Sequence, residues 1–391
     1  MAAEANESPR VAVYGEFNYL RDESGISSDQ SFAIFVARLA HFAKRLTIVG
    51  RLDPAPGGTF HRLEGDFDFV ALPDYPSLAN LFAALRATFA SIPTLWRTLG
   101  TVDAVWLLGP NPLCIVFALL AWLRRRRVVL GVRQDIVALT RSRYGRGAHL
   151  VAAILLERAW RLLARLTTVT TVGPELEAQY RHARRTVPFS VSLVEERDLA
   201  TPEQVEARGY GGELVILSVG RLEPQKNPLL LAQILALLRE RGIDCRLVVC
   251  GAGSMEGELG AELARLGVAD RADLRGYVPV DGALQQAYRE AHLFLHVSWT
   301  EGFPQVLLEA FAAGLPTLAT DVGGIRDWVE GAALLVGPGD AEAAADGLQR
   351  LVSDPELRAL LVEGALRVAR EHTIDAECER VAEALAGSVR G

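Results

Sequence analysis

The chain has 391 residues, 50% hydrophobic, 23% charged and 7% aromatic; at roughly 100–200 residues per domain this implies two domains, each able to bury its own core. That composition excludes a disordered, collagen-like or coiled-coil chain. The net charge of −7 is uneven, since residues 1–195 hold 23 Lys and Arg against 17 Asp and Glu, a net of +6, while 196–391 hold 18 against 31, a net of −13.

In chain order, the first residues, 1–9, are polar and acidic and do not read as a secretory signal. Short apolar runs then alternate with helix-period stretches. The first half predicts strands at 11–14, 46–49, 67–72, 103–108, 128–132 and 167–172, with amphipathic helices including 31–44 and 78–99. The longest apolar run, 113–123, has 11 residues, well short of the ~20 a bilayer span needs. Arg124-Arg125-Arg126-Arg127 follows it, at the helix end where the dipole favours cations. Residues 86–185 hold 16 basic side chains against 5 acidic, a net of +11 that suits an anionic partner. Residues 196–212 are polar, end in Gly209-Tyr210-Gly211-Gly212, and have linker composition. The second half predicts strands at 214–219, 245–250, 272–276, 293–297, 317–319 and 333–336, and helices at 228–241, 304–313, 341–352, 354–370 and 375–385. The fold class is α/β, with two doubly wound, Rossmann-like parallel sheets in series. The domains are 1–195, a linker at 196–212, then 213–370 and a helical tail at 371–391. The four cysteines (Cys114, Cys245, Cys250, Cys378) form no C-x-x-C pair and point to a reducing, cytoplasmic setting rather than to zinc or disulfides.

Three clusters in the second half carry candidate chemistry. In Gly220-Arg221-Leu222-Glu223-Pro224-Gln225-Lys226-Asn227, a strand, a glycine turn and a helix start bring backbone N–H groups and two cations to a sheet's carboxyl edge, where phosphates bind. Arg221 can fork onto two phosphate oxygens and Lys226 acts as a point charge beside it; the plain alternative is two solvated surface cations. In Glu301-Gly302-Phe303-Pro304-Gln305-Val306-Leu307-Leu308-Glu309, Pro304 suits the first helical position, which leaves the N–H groups of Gln305 and Val306 open to an anion. Glu309 sits five residues further on, roughly 7–8 Å along the helix, among apolar neighbours, so its carboxylate needs a partner. Gly251-Ala252-Gly253 has poor dinucleotide-fingerprint spacing and reads better as a tight strand-to-helix turn. Asp66-Phe67-Asp68 lacks a supporting ligand cluster, so no metal site is expected. His296 reads as a packed strand residue rather than a base.

In this order, with Leu274-Arg275-Gly276-Tyr277-Val278, Thr320-Asp321-Val322-Gly323-Gly324 and Gly337-Pro338-Gly339-Asp340, these clusters resemble the donor domain of the retaining glycosyltransferases of family 4 over about 213–345. The resemblance implies the two-domain GT-B fold, with the tail helix crossing back onto the first domain and the site in the cleft. It implies transfer of a sugar from a nucleotide-diphosphate donor, the co-substrate, with no metal and no further cofactor. Arg221 and Lys226 would hold the diphosphate beside Gly220, with the loop Phe303, Pro304, Gln305 and Val306 adding backbone donors. Glu309 would accept from the ribose hydroxyls and Glu301 would grip the transferred sugar, while main chain at Tyr277 and Val278 would flank the base. In the first half, Gly15 stands where the family places a glycine pair, and Val132-Arg133-Gln134-Asp135 stands where many members carry a His-Asp pair. Asp135 would keep the acidic position, with Arg133 or Gln134 in place of the histidine. The family's lipid-linked and envelope acceptors, with the basic region, imply a glycan or lipid-linked acceptor and peripheral contact with anionic membrane on the cytoplasmic side, and no nucleic acid. Two other readings share the sequence: a non-catalytic nucleotide-sugar-binding scaffold and a sugar-nucleotide epimerase of related shape. Replacing Arg221 or Lys226 by alanine is expected to abolish transfer with the fold intact.

Overall fold

The computed structural model describes residues 8–23, 25–53, 61–73, 81–279, 282–302 and 304–387. It divides into two units, one of residues 1–191 with 374–391 and the other of 192–373.

The first unit runs β1 (Arg10–Asp22), β2 (Gly25–Ser28), α1 (Phe32–Arg38), β3 (Arg45–Leu52), β4 (His61–Arg62), β5 (Phe67–Leu72), α2 (Leu81–Thr98), β6 (Ala104–Gly109) and α3 (Pro112–Leu123). It continues with β7 (Arg127–Val132), α4 (Ile136–Tyr144), α5 (Ala148–Ala164), β8 (Thr168–Val172), α6 (Pro174–Gln179) and β9 (Arg185–Phe189). Strands β5, β3, β1, β6, β7, β8 and β9 are parallel neighbours in that order. Central β6 is buried from Ala104 to Leu108, as expected of a parallel strand covered on both faces. Asn111 opens α3, its side chain accepting from the Leu113 N–H at 2.8 Å, with Pro112 as first helical residue. Two features depart from the sequence expectation. β1 does not stop at Tyr14 but continues to Asp22 through a register shift between Tyr14 and Asn18, and β2 and β4 add an antiparallel extension. The reason is tertiary, because Phe17 and Tyr19 find buried places past the bulge.

The second unit runs α7 (Pro202–Glu206), β10 (Leu214–Val219), α8 (Leu229–Glu240), β11 (Cys245–Cys250), α9 (Glu256–Arg265), β12 (Ala272–Leu274), α10 (Gly282–Glu290) and β13 (Leu293–His296). Then come α11 (Gln305–Ala312), β14 (Thr317–Thr320), α12 (Ile325–Val329), β15 (Leu334–Val336), α13 (Ala341–Ser353) and α14 (Pro355–Glu371). Its six strands are ordered β12-β11-β10-β13-β14-β15, all parallel. The order reverses between β10 and β13, so a crevice opens outside their carboxyl ends, where open α/β sheets bind ligands. The polar segment 196–212 is laid onto this unit: Thr201 and Gln204 form a capping box at α7, and Arg208 donates to the carbonyls of Ala313 and Gly314.

The last helix, α15 (Ile374–Ala386), belongs to the first unit. Arg38 grips Asp375 through two bonds of 2.6 and 2.8 Å, and fully buried Glu377 accepts from the Ser190 N–H at 3.0 Å.

Candidate functional site

The site is built on the reversal between β10 and β13. After β10 the chain turns at Gly220 and passes Arg221 to a short turn, Pro224–Lys226, that ends on Asn227 with a left-handed φ of 49°. Gly251 and Gly253 hold this loop in place. A Cβ on Gly251 would lie 1.8 Å from the Gly220 carbonyl oxygen, and one on Gly253 would lie 2.3 Å from that of Leu222. Leu222 also donates to Ala252 O at 3.0 Å. The glycine cluster is therefore a cradle for the Arg221 loop, the close-approach form of the turn expected from sequence.

Ser298 ties this loop to the one after β13: its hydroxyl donates to Gln225 O at 2.9 Å, and the Trp299 N–H donates to the same carbonyl at 2.9 Å. This juxtaposition brings Lys226 to Glu301. The ammonium donates to both carboxylate oxygens at 2.5 and 2.7 Å, and His296 Nε2 lies 3.0 Å from Oε1. The Glu301 side chain is only 7% exposed. Burial pushes its carboxyl up, but the His296 hydrogen bond and charge, with the Lys226 ammonium, outweigh burial and hold it down at about 2. Glu301 is therefore an ionised acceptor at neutral pH and has no proton to donate. Gly323, with φ of 60°, backs onto it so closely that a Cβ would lie 1.7 Å from the Glu301 carbonyl oxygen. Arg221 is exposed, with no ion pair among the described residues. With Gly220, Lys226 and His296 it lines a small recess of about 20 Å³.

The structure thus groups Gly220, Arg221, Lys226 and Glu301, and adds His296. The histidine is buried in β13, as a packed strand residue should be, and it also orients the Glu301 carboxylate. Its proximity in sequence was visible; its direction was not.

Glu309 stands apart from this group. The expectation that its carboxylate needs a partner is met by Tyr288 on α10, whose hydroxyl donates to Oε2 at 2.7 Å. Burial raises the Glu309 carboxyl, the Tyr288 bond pulls it back, and Asp198 raises it further. Glu309, Tyr288, Asp198 and Arg208 border a cavity of about 600 Å³ that shares no residue with the small recess. Nothing in the sequence marked Tyr288, since it comes from another helix. Pro304 is the N-cap of α11 and not its first helical residue, because its ψ of 112° is extended; Gln305 and Val306 open the helix instead. Phe303 lies outside the described residues. Tyr277 is 46% exposed and Val278 is partly buried, following Gly276 at a left-handed φ of 64°.

In the first unit, Gly15 is not in a loop, because β1 runs through it and pairs it with Leu108. Asp135 caps α4: Oδ1 accepts from the Val137 and Ala138 N–H groups at 2.8 and 2.9 Å, and Oδ2 takes the Gln179 amide at 3.1 Å. Of its two neighbours Arg133 turns inward, lying 4.9 and 4.3 Å from the ring centres of Phe17 and Phe32. Burial lowers its pKa to about 10, against a rise from Tyr19. Gln134 is exposed. Asp68 is held by Arg45 at 2.5 Å, and among the described residues no group of three or more His, Cys, Asp or Glu could hold a metal.

Solved proteins share the fold over nearly the whole chain. Anabaena HepE, crystallised with UDP, superposes with a TM-score of 0.70 at 16% identity, covering 97% of this chain and 100% of that one. WaaG, a glycosyltransferase involved in lipopolysaccharide biosynthesis, gives 0.67 at 18% identity over 97% and 100%. Two Rossmann-like parallel-sheet units of this kind are the GT-B fold. The model of the glycosyl transferases group 1 matches residues 202–368. A D-inositol 3-phosphate glycosyltransferase from Salinispora tropica is 39% identical over 197 residues, 47% of this chain and 38% of that protein. One from Saccharomonospora viridis is 36% identical over 220 residues, 52% and 49%. The chain therefore spans less than half the length of these curated relatives.

Proposed function

We propose that the protein is a retaining glycosyltransferase that moves a sugar from a nucleoside-diphosphate donor to a hydroxyl of a glycan or lipid-linked acceptor of the cell envelope. The observation that carries this is the grouping of Lys226, Glu301 and His296 beside the open guanidinium of Arg221 at the carboxyl edge of the second sheet. In the reaction, the bond between the anomeric carbon and the diphosphate oxygen breaks and the acceptor oxygen bonds to the same face of that carbon. The acceptor proton passes to the departing phosphate. Charge grows on the diphosphate, and Arg221, the remaining N–H of Lys226 and the amides of Gln305 and Val306 meet it, so that no metal is needed. The ionised Glu301 accepts from hydroxyls of the transferred sugar. Glu309 takes the ribose through Oε1, its other oxygen being held by Tyr288. Main chain at Tyr277 and Val278 flanks the base. In the first unit, Arg133 replaces the family histidine and Asp135 fixes the start of α4 beside it.

HepE was crystallised with UDP-glucose and with UDP and glucose, which supports a donor of this chemical class. A lipid-linked acceptor would bring the enzyme to the cytoplasmic face of a membrane. Thermal-shift titration with UDP, GDP and their glucose conjugates tests the reading, because a ligand of the folded state raises its melting point. At least one diphosphate should do so for the native protein and none for Arg221→Ala. An unmoved melting point with every nucleotide would refute donor binding. Binding without sugar release to any acceptor or to water would leave a scaffold.

A further inference from the structure

We propose that the outer face of α2, α3 and α5 is a docking surface for anionic lipid headgroups. These helices cover one face of the first unit's sheet and share one core cluster, built around Leu95, Phe117 and Trp160. Their other side should then be polar, as on an ordinary surface helix. It is not. Phe89 and Trp96 on α2, Leu119 and Leu123 on α3, and Leu155 and Leu162 on α5 are between 38% and 73% exposed. Val151 and Leu166 extend the α5 stripe at 58% and 63%. The spacing 151, 155, 158, 162, 165, 166 follows one side of a helix, with Arg158 and Arg165 as its exposed charges.

Arg97 and Arg125 are exposed on α2 and just past α3, and Arg124 lies over the Trp96 ring at 4.0 Å. Against these cations the three helices hold a single acid, Glu157. It is buried and bound to Arg161 at 2.7 Å and Tyr180 at 2.8 Å, so it offers no negative charge outward. Large apolar side chains with arginines between them and no acid are the composition of a face that lies in a headgroup layer.

The charge decides between occupants. A second copy of this chain would meet the face with its own arginines across a two-fold axis, and like charges would oppose each other. An anionic bilayer complements the charge and takes up the leucines. Why such an enzyme visits a membrane rests on the proposed lipid-linked acceptor; the surface itself does not.

Co-sedimentation of the full chain with vesicles, either of phosphatidylcholine alone or of phosphatidylcholine with an equal part of phosphatidylglycerol, tests this at low and high salt. The native protein should pellet with the mixed vesicles at low salt and stay in solution with phosphatidylcholine. At about fivefold per basic residue, Arg158→Gln with Arg165→Gln should lower the partition about 25-fold. Leu155→Gln with Leu162→Gln should lower it at least about tenfold. Both double variants should keep the native melting point and its shift by UDP. Native protein left in the supernatant with anionic vesicles at low salt would overturn the proposal, as would native-like pelleting of both variants. So would a concentration-dependent dimer that the leucine variant abolishes, which would assign the face to a second copy. Vesicle binding without transfer to any acceptor would leave this surface standing and remove the function above.

Discussion

At the scale of residues, Arg221 and Lys226 look alike in sequence and differ in the structure. Arg221 is exposed and unpaired among the described residues, so Arg221→Ala should leave the melting temperature within error and lose nucleotide binding. Lys226 neutralises a carboxylate that is almost wholly buried. Removing it leaves Glu301 with His296 alone, and breaking a buried pair costs on the order of 3 kcal/mol. Lys226→Ala should therefore lower both binding and stability in a urea melt, while Arg221→Ala lowers binding alone.

Glu301 also makes a pH prediction. Its carboxyl falls from the ordinary 4.5 to about 2 in the folded protein, so the folded state holds its proton less readily than the unfolded chain. Stability from this group is full above about pH 4.5 and is lost as pH falls towards 2. The shift corresponds to on the order of 3 kcal/mol. Glu301→Gln should flatten the acid limb of a plot of unfolding free energy against pH; an unchanged limb would show that other carboxylates carry it.

At the scale of elements, the site depends on loops that touch through their backbones. Gly251 and Gly253 let the β11 loop lie against the β10 loop, and Gly323 does the same for the loop carrying Glu301. Gly251→Ala would drive a methyl group into the Gly220 carbonyl at 1.8 Å. The β10 loop must then move, with a cost of about 3 kcal/mol and a loss of nucleotide affinity. A calorimetric melt and a UDP titration on the same sample would measure both. Equal affinity in Gly251→Ala would show that the loop is free to adapt.

The elements were unevenly legible. β5, β10 and β11 have the ends that their apolar runs predict, because a strand buried on both faces is written as a continuous apolar stretch. β9 alternates poorly, and β2 and β4 are too short and polar to show a period. They exist because neighbouring strands offer them hydrogen bonds.

At the scale of the whole molecule, α15 is distant in sequence from the unit it completes. Cys378, Val381 and Leu385 are buried there, and Asp375 and Glu377 are bonded to Arg38 and to the Ser190 N–H. Deleting residues 374–391 should expose that apolar face and unfold the first unit, read as a lost transition in calorimetry while the second unit still melts. A single unchanged transition would show that α15 is dispensable.

What the sequence determined by itself was the repeated β-α pattern, the order of the motifs over about 213–345 and the concentration of arginine in residues 86–185. These follow from local periodicity, short-range spacing and counting. Three-dimensional packing alone decided that Lys226 meets Glu301, that His296 turns towards that carboxylate, that Tyr288 answers Glu309, and that Asp135 is spent on a helix cap. It also decided that the leucines among the arginines face outward. Each of these is a contact or an exposure set by elements far apart in the chain, and a one-dimensional pattern holds no distance between them.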